Sequence, residues 1–129
     1  MASPTPPASG TNLGVAPNVG GLLCYVPCCI GLIFSIVAAI VEKQSRFVRF
    51  HAFQSLLFHG AAIVCAVALQ VAQIALAIIH LGMLGLVLSL VGLLIGLGFL
   101  AVAILMMVKA YNNEEYALPM VGEMAKGWV

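Results

Sequence analysis

Few side chains in this chain can do chemistry, and most of them fall on one line. His51, Ser55, His59, Gln70, Gln73 and His80 share a sector of about 100° when the residues are plotted at 100° per position on a helix. Ala62, Ala66 and Ala77 lie in the same sector, whereas Gln54 points elsewhere. An amide or imidazole left in hydrocarbon without a partner is costly, so such a stripe has to face protein or water. It reads first as a helix–helix interface hydrogen-bonded by Gln and His. The alternative is the lining of a polar path or cavity. Haem ligation is disfavoured: His59 and His80 are separated by about 31 Å of helix and cannot share one ring.

The cysteines raise a second possibility. Cys24 and Cys28 are one turn apart with Cys29 adjacent, and paired thiolates suit soft ions such as Cu(I). Yet Cys24, Cys28, Gly31, Ser35 and Ala39 also form a narrow stripe of small residues, of the kind that lets helices approach closely. Packing is the favoured reading, and no metal or cofactor is expected. Cys65 reads as a small core residue. No catalytic set emerges either. Asp is absent, the four acidic residues are Glu42, Glu114, Glu115 and Glu123, and no Ser or Cys–His arrangement has nucleophile spacing. The chain is expected not to be an enzyme.

The elements that position these residues follow from composition. Of 129 residues, 64% are hydrophobic and 7% charged, against about 25% charged in soluble domains. That supply cannot cover a water-facing surface, so the chain is an integral membrane protein. With a net charge of +1 it has no basic face for nucleic acid. Residues 1–21 are rich in Pro, Gly, Ser and Ala and lack the basic start of a signal peptide. They are expected to be a disordered head on a single helical domain, 22–129. About 20 apolar residues span a bilayer core, which places transmembrane helices near 22–41, 52–78 and 84–108, with a turn at 79–83. The third helix carries Gly85, Ser89, Gly92 and Gly96 along one face, including a literal GxxxG.

Charge then sets orientation. With three spans, all five basic residues (Lys43, Arg46, Arg49, Lys109 and Lys126) fall on one side. The positive-inside rule makes that side cytoplasmic and leaves the N-terminus outside. Glu42 and Arg46 have the spacing of an i, i+4 pair. Arg46 and Arg49 sit where anionic headgroups wait, and Phe47, Phe50 and Phe53 recur every third residue. Residues 42–50 are therefore expected to form an amphipathic elbow in the headgroups. After Pro119, Met120, Met124 and Trp128 make an apolar stripe on a short interfacial helix.

The wording of several segments is informative in itself. Asn18-Val19, Leu22-Leu23-Cys24-Tyr25, Glu42-Lys43 and the run Arg46 to Ser55 resemble a family of small prokaryotic membrane proteins. That family is described as similar to the twenty-kilodalton component of the chloroplast inner-envelope protein translocon. Lys109-Ala110-Tyr111, Tyr116 to Pro119 and Val121-Gly122-Glu123 resemble its tail. The resemblance implies a helical bundle in a prokaryotic plasma membrane, with Arg49, His51, Gln54 and Ser55 as signature polar residues. Two functions compete. One is a non-enzymatic structural or accessory subunit, partnered by the lipid bilayer and by other membrane subunits or itself. The other is a component of a transport or protein-translocation pathway that uses the polar face of the second helix.

Overall fold

The computed structural model describes residues 10–129. Five helices follow one another: α1 (Pro17–Leu23), α2 (Cys29–Val41), α3 (Arg46–Ile78), α4 (Gly82–Tyr111) and α5 (Val121–Lys126). No strand occurs among the described residues. The frame is the hairpin of α3 and α4, the two helices long and apolar enough to cross a membrane. They are joined at 79–81, where His80 takes a left-handed conformation (φ 57°), and α4 starts at Gly82.

The expectation of a single span over 22–41 does not hold. Pro27 lacks the N–H that would continue a helix and pushes the residue before it away from helical angles. The chain breaks there: Tyr25 and Val26 close turn bonds to Leu22 and Leu23, and Cys28 adopts φ 71°. The chain then reverses into α2. Gly31 is what lets α2 fold back, because a Cβ there would overlap the Val26 carbonyl oxygen. At 13 residues, α2 is about 20 Å long, short of the roughly 30 Å of a hydrocarbon core. The three-span bundle is therefore not confirmed: two helices, α3 and α4, are long and apolar enough to cross a membrane, and α1 and α2 pack beside them as a short helical hairpin.

That correction also moves the N-terminal segment. The Asn12 N–H donates to Glu42 at 2.8 Å, and the Asn12 side-chain oxygen accepts from the Lys43 N–H at 2.9 Å. Residues 10–14 thus lie against the 42–45 turn, at the same end of the α3/α4 hairpin as the tail after Tyr111. The N-terminal side is not opposite the basic residues, as three spans would require. The disordered head is corrected in part as well, since residues 17–23 are helical; for 1–9 that expectation lies outside the described residues.

The elbow over 42–50 is likewise no separate helix. Ser45 caps α3 by accepting from the Val48 N–H, and the helix runs unbroken for 33 residues. Phe47 and Phe50 point inward and are buried. The core therefore sits at one end of the hairpin, built from Cys24, Tyr25, Ala38, Phe47, Val48, Ala52 and Met106. Towards the 79–81 turn, α3 and α4 pack only against each other among the described residues.

Candidate functional site

The polar residues of the core end form one connected network. The Glu114 carbonyl lies 3.1 Å from His51 Nε2. A carbonyl can only accept, so Nε2 carries the ring proton and Nδ1 is left as an acceptor. The Tyr25 hydroxyl, 3.2 Å from Nδ1, must therefore donate to it. That hydroxyl accepts in turn from Gln54 Nε2 at 2.9 Å. The second Nε2 proton of Gln54 goes to the Tyr116 carbonyl at 3.0 Å, and Gln54 Oε1 accepts from the Leu118 N–H at 2.9 Å. Tyr25, His51 and Gln54 are all completely buried. Phe47 and Phe50 pack edge-on against the imidazole, with ring centroids 4.6 and 5.3 Å away.

A second layer lies one turn further along α3. The Ser55 hydroxyl donates to the Cys24 carbonyl, and Ser35 Oγ stands 3.0 Å from Ser55 Oγ and 2.7 Å from the Gly31 carbonyl. His59 Nδ1 lies 2.9 Å from the Ser55 carbonyl and donates back along its own helix. A third layer caps the end. The fully buried carboxylate of Glu42 accepts the N–H groups of Asn12, Gln44 and Ser45. These contacts replace the expected pairing of Glu42 with Arg46, whose side chain is exposed.

Chemically this arrangement is a clasp. Each donor and acceptor of Gln54 and His51 is used, mostly on backbone groups of the 114–118 tail. The tail in turn is held by Lys109–Glu114 at 2.8 Å, and α5 sits against α3 with Gly122 so close that a Cβ would stand 2.6 Å from Gln54 Oε1. Burial raises the Tyr25 hydroxyl well above its ordinary range, which keeps it a donor. Burial also pushes the Cys24 thiol up to about 12, against a smaller opposing effect of its Ser35 contact. Cys24 is therefore a neutral thiol, donating to the Gly20 carbonyl at 3.3 Å, whereas Cys28 and Cys29 are exposed.

The stripe read on the second helix splits in two. His51, Ser55 and His59 belong to the clasp. Gln73 donates to Ser89 of α4 at 2.8 Å, and Ser89 donates to the Gly85 carbonyl. Gln70 is exposed, and His80 is in the turn. Between the two spans lies an open groove lined by Ala62, Cys65, Ala66, Leu69, Gly92, Ile95, Gly96 and Phe99, apolar over most of its surface. Lys43 and Arg46 are exposed. Arg49 lays its guanidinium over Phe53 at 5.8 Å, its Nε is buried without a partner, and Phe53 meets Trp128 edge-on. Sequence reasoning missed Tyr25 and Asn12. Tyr25 reads as one more apolar residue in a run, and nothing local marks Asn12 as a partner for a turn 30 positions away.

Comparison with known proteins gives one family. Residues 10–125 match the model of the magnetosome magnetite crystal formation protein family, MamF/MmsF. The UPF0132 membrane protein MJ1443 of Methanocaldococcus jannaschii is 38% identical over 90% of this chain and 91% of its own length. A second protein of that archaeon, UPF0132 membrane protein MJ1527, is 34% identical over 88% of this chain and 71% of its own length. A UPF0132 membrane protein of Archaeoglobus fulgidus is 35% identical over 84% of this chain and 91% of its own length. No solved structure matches the chain. These matches correct the translocon resemblance, because neither the family model nor the archaeal relatives lead to a translocon component. The Arg46 to Ser55 wording that carried it is the wording of the clasp.

Proposed function

The chain belongs to the MamF/MmsF membrane protein family, and from that membership we propose that it is a small non-enzymatic structural or accessory subunit of a larger membrane assembly. One observation carries this reading. The buried polar side chains Ser35, Glu42, Ser45, His51, Gln54 and Ser55 are bonded to one another or to backbone. They hold the terminal segments against the spans. The groove between the spans is largely apolar, which suits packing better than passage of a polar solute.

The family description links related proteins to magnetite crystals. Of the four carboxylates, Glu42 is committed to backbone amides, Glu114 pairs with Lys109 and Glu123 with Lys126 at the surface, and Glu115 is exposed. The membrane body is the part this reading rests on.

We propose an orientation on the two-span frame. The five basic residues, residues 10–14 and the C-terminal tail all lie at one end of the hairpin, and the positive-inside rule puts that end in the cytoplasm of a prokaryotic plasma membrane. In a variant with its native cysteines replaced, a cysteine at 12 should be shielded from a membrane-impermeant maleimide in intact cells, and one at 80 should be labelled. Equal labelling of both would reject this orientation. The role itself is tested by gentle detergent purification from the native source. Stoichiometric co-purification with a defined set of chains is expected. A free preparation that conducts solute in liposomes would overturn it.

A further inference from the structure

Of the two glutamines in the outer half of α3, one is satisfied and the other is stranded. Gln73 reaches Ser89 of α4. Gln70 is exposed and makes no hydrogen bond among the described residues. Its surroundings are those of a lipid-facing surface: Val67, Val71 and Ile74 are 57%, 61% and 54% exposed. The end of α3 at Ile78 is about 12 Å further along the helix, beyond the reach of a glutamine side chain. A bare primary amide in hydrocarbon is costly, and water is not there to relieve it. No partner is offered among the described residues, where the hydroxyl of Ser89 is already engaged with Gln73 and the Gly85 carbonyl.

We propose that the α3/α4 groove and Gln70 form a self-association face, occupied in the membrane by a second copy of this chain. Three observations converge on that occupant. Gln70 continues the row Ala62, Ala66 at four-residue spacing, and both alanines line the open groove, so the amide stands at the groove's rim. On the opposite wall, a Cβ added to Gly96 would meet nothing within 4 Å, so the glycine serves no contact inside the chain and leaves room for another helix to come close. A primary amide is both donor and acceptor. Two Gln70 side chains related by a two-fold axis can therefore satisfy each other, Nε2 of each donating to Oε1 of the other. That is the isologous contact of a symmetric dimer. A lipid acyl chain would fill the groove but leave the amide unpaired.

This inference rests on the two-span membrane reading and deepens the proposed role as a structural subunit. It is tested on the isolated full-length chain, independently of any co-purifying partner. Energy transfer between donor- and acceptor-labelled copies in phosphatidylcholine vesicles, measured over a dilution series, reads the dimer directly. The wild-type chain should dimerise, and Gln70→Leu should raise the dissociation constant about tenfold. Gln73→Leu should leave it unchanged. Gln70→Leu exchanges an exposed amide for an exposed aliphatic group, and an unaltered circular dichroism melt of the monomer will show that it folds. The proposal is overturned by a monomeric wild type at every protein-to-lipid ratio, by native mass spectra showing a monomer carrying a bound lipid, or by Gln70→Leu dimerising like wild type.

Discussion

The two ends of the α3/α4 hairpin are built on opposite principles. Around residues 46–59 and 103–118, polar groups are numerous, buried and bonded across long sequence separations, tying Tyr25 to Gln54 and Gln54 to Leu118. Around residues 60–102, exposed isoleucine, leucine and valine predominate, and the one side-chain bond between the helices is Gln73 to Ser89. A bilayer explains the contrast. Lipid tails give apolar helices no reason to leave them, so the outer half is held by shape and an occasional hydrogen bond. At the other end the chain has loops, a helix break and two terminal segments whose backbone groups all need partners. Side chains supply them. The clasp is thus the cost of irregular backbone beside a membrane, and the bare half is what regular helices permit.

The comparison breaks most readily at Gln54. Gln54→Leu leaves the Leu118 N–H and Tyr116 carbonyl unpaired in a partly buried site and removes a donor from Tyr25. We expect a loss of about 3–5 kcal/mol, read by denaturation in detergent micelles, together with early proteolytic cleavage in 112–119. Tail protection equal to wild type would mean that α5 packing, not the amide, holds the tail. Gly31→Ala comes next, since its Cβ overlaps the Val26 carbonyl oxygen. Forcing the α1–α2 turn open should cost about 2–3 kcal/mol and speed amide exchange in 24–35 while sparing 60–102. Glu42→Gln is third. It places an NH2 donor against the backbone N–H groups that the carboxylate accepts from. A loss of about 2 kcal/mol is expected, with faster exchange at Gln44 and Ser45 as its signature.

Why some of this was legible in the sequence and some was not also follows from the comparison. The bare half reads directly: continuous apolar residues, the turn near His80 and the long helices around it follow from hydropathy and helix weakening alone. The first span was misread because length and hydropathy do not register Pro27, which breaks an apolar run as surely as a charge would. Gly31 looked like one of a packing stripe, when its need is local, a turn carbonyl that tolerates no Cβ. In the clasp, His51 and Ser55 were singled out but assigned to a stripe running the length of the helix. Periodicity places residues on a face, yet says nothing of which neighbour covers that face at each level. Here α1, α2 and the tail cover it near Ser55, while α4 covers it near Gln73. Partners 62 residues away in sequence, such as Gln54 and Tyr116, leave no local trace.

The smallest expected effect is the most discriminating. Gln73→Leu removes one hydrogen bond inside the bilayer, worth about 0.6 kcal/mol by analogy with other membrane helices. Gln54 and Gln73 are 19 residues apart on α3, roughly 28 Å along the axis, and share no partner. If the ends are independent, the double variant Gln54→Leu/Gln73→Leu should lose the sum of the two single losses within about 0.5 kcal/mol. Coupling beyond that would mean that the clasp sets the spacing of the spans through the rigid length of α3. The groove at Ala62 and Gly96 would then widen or close with the state of the tail, and the contrast drawn between the two ends would be one of composition only.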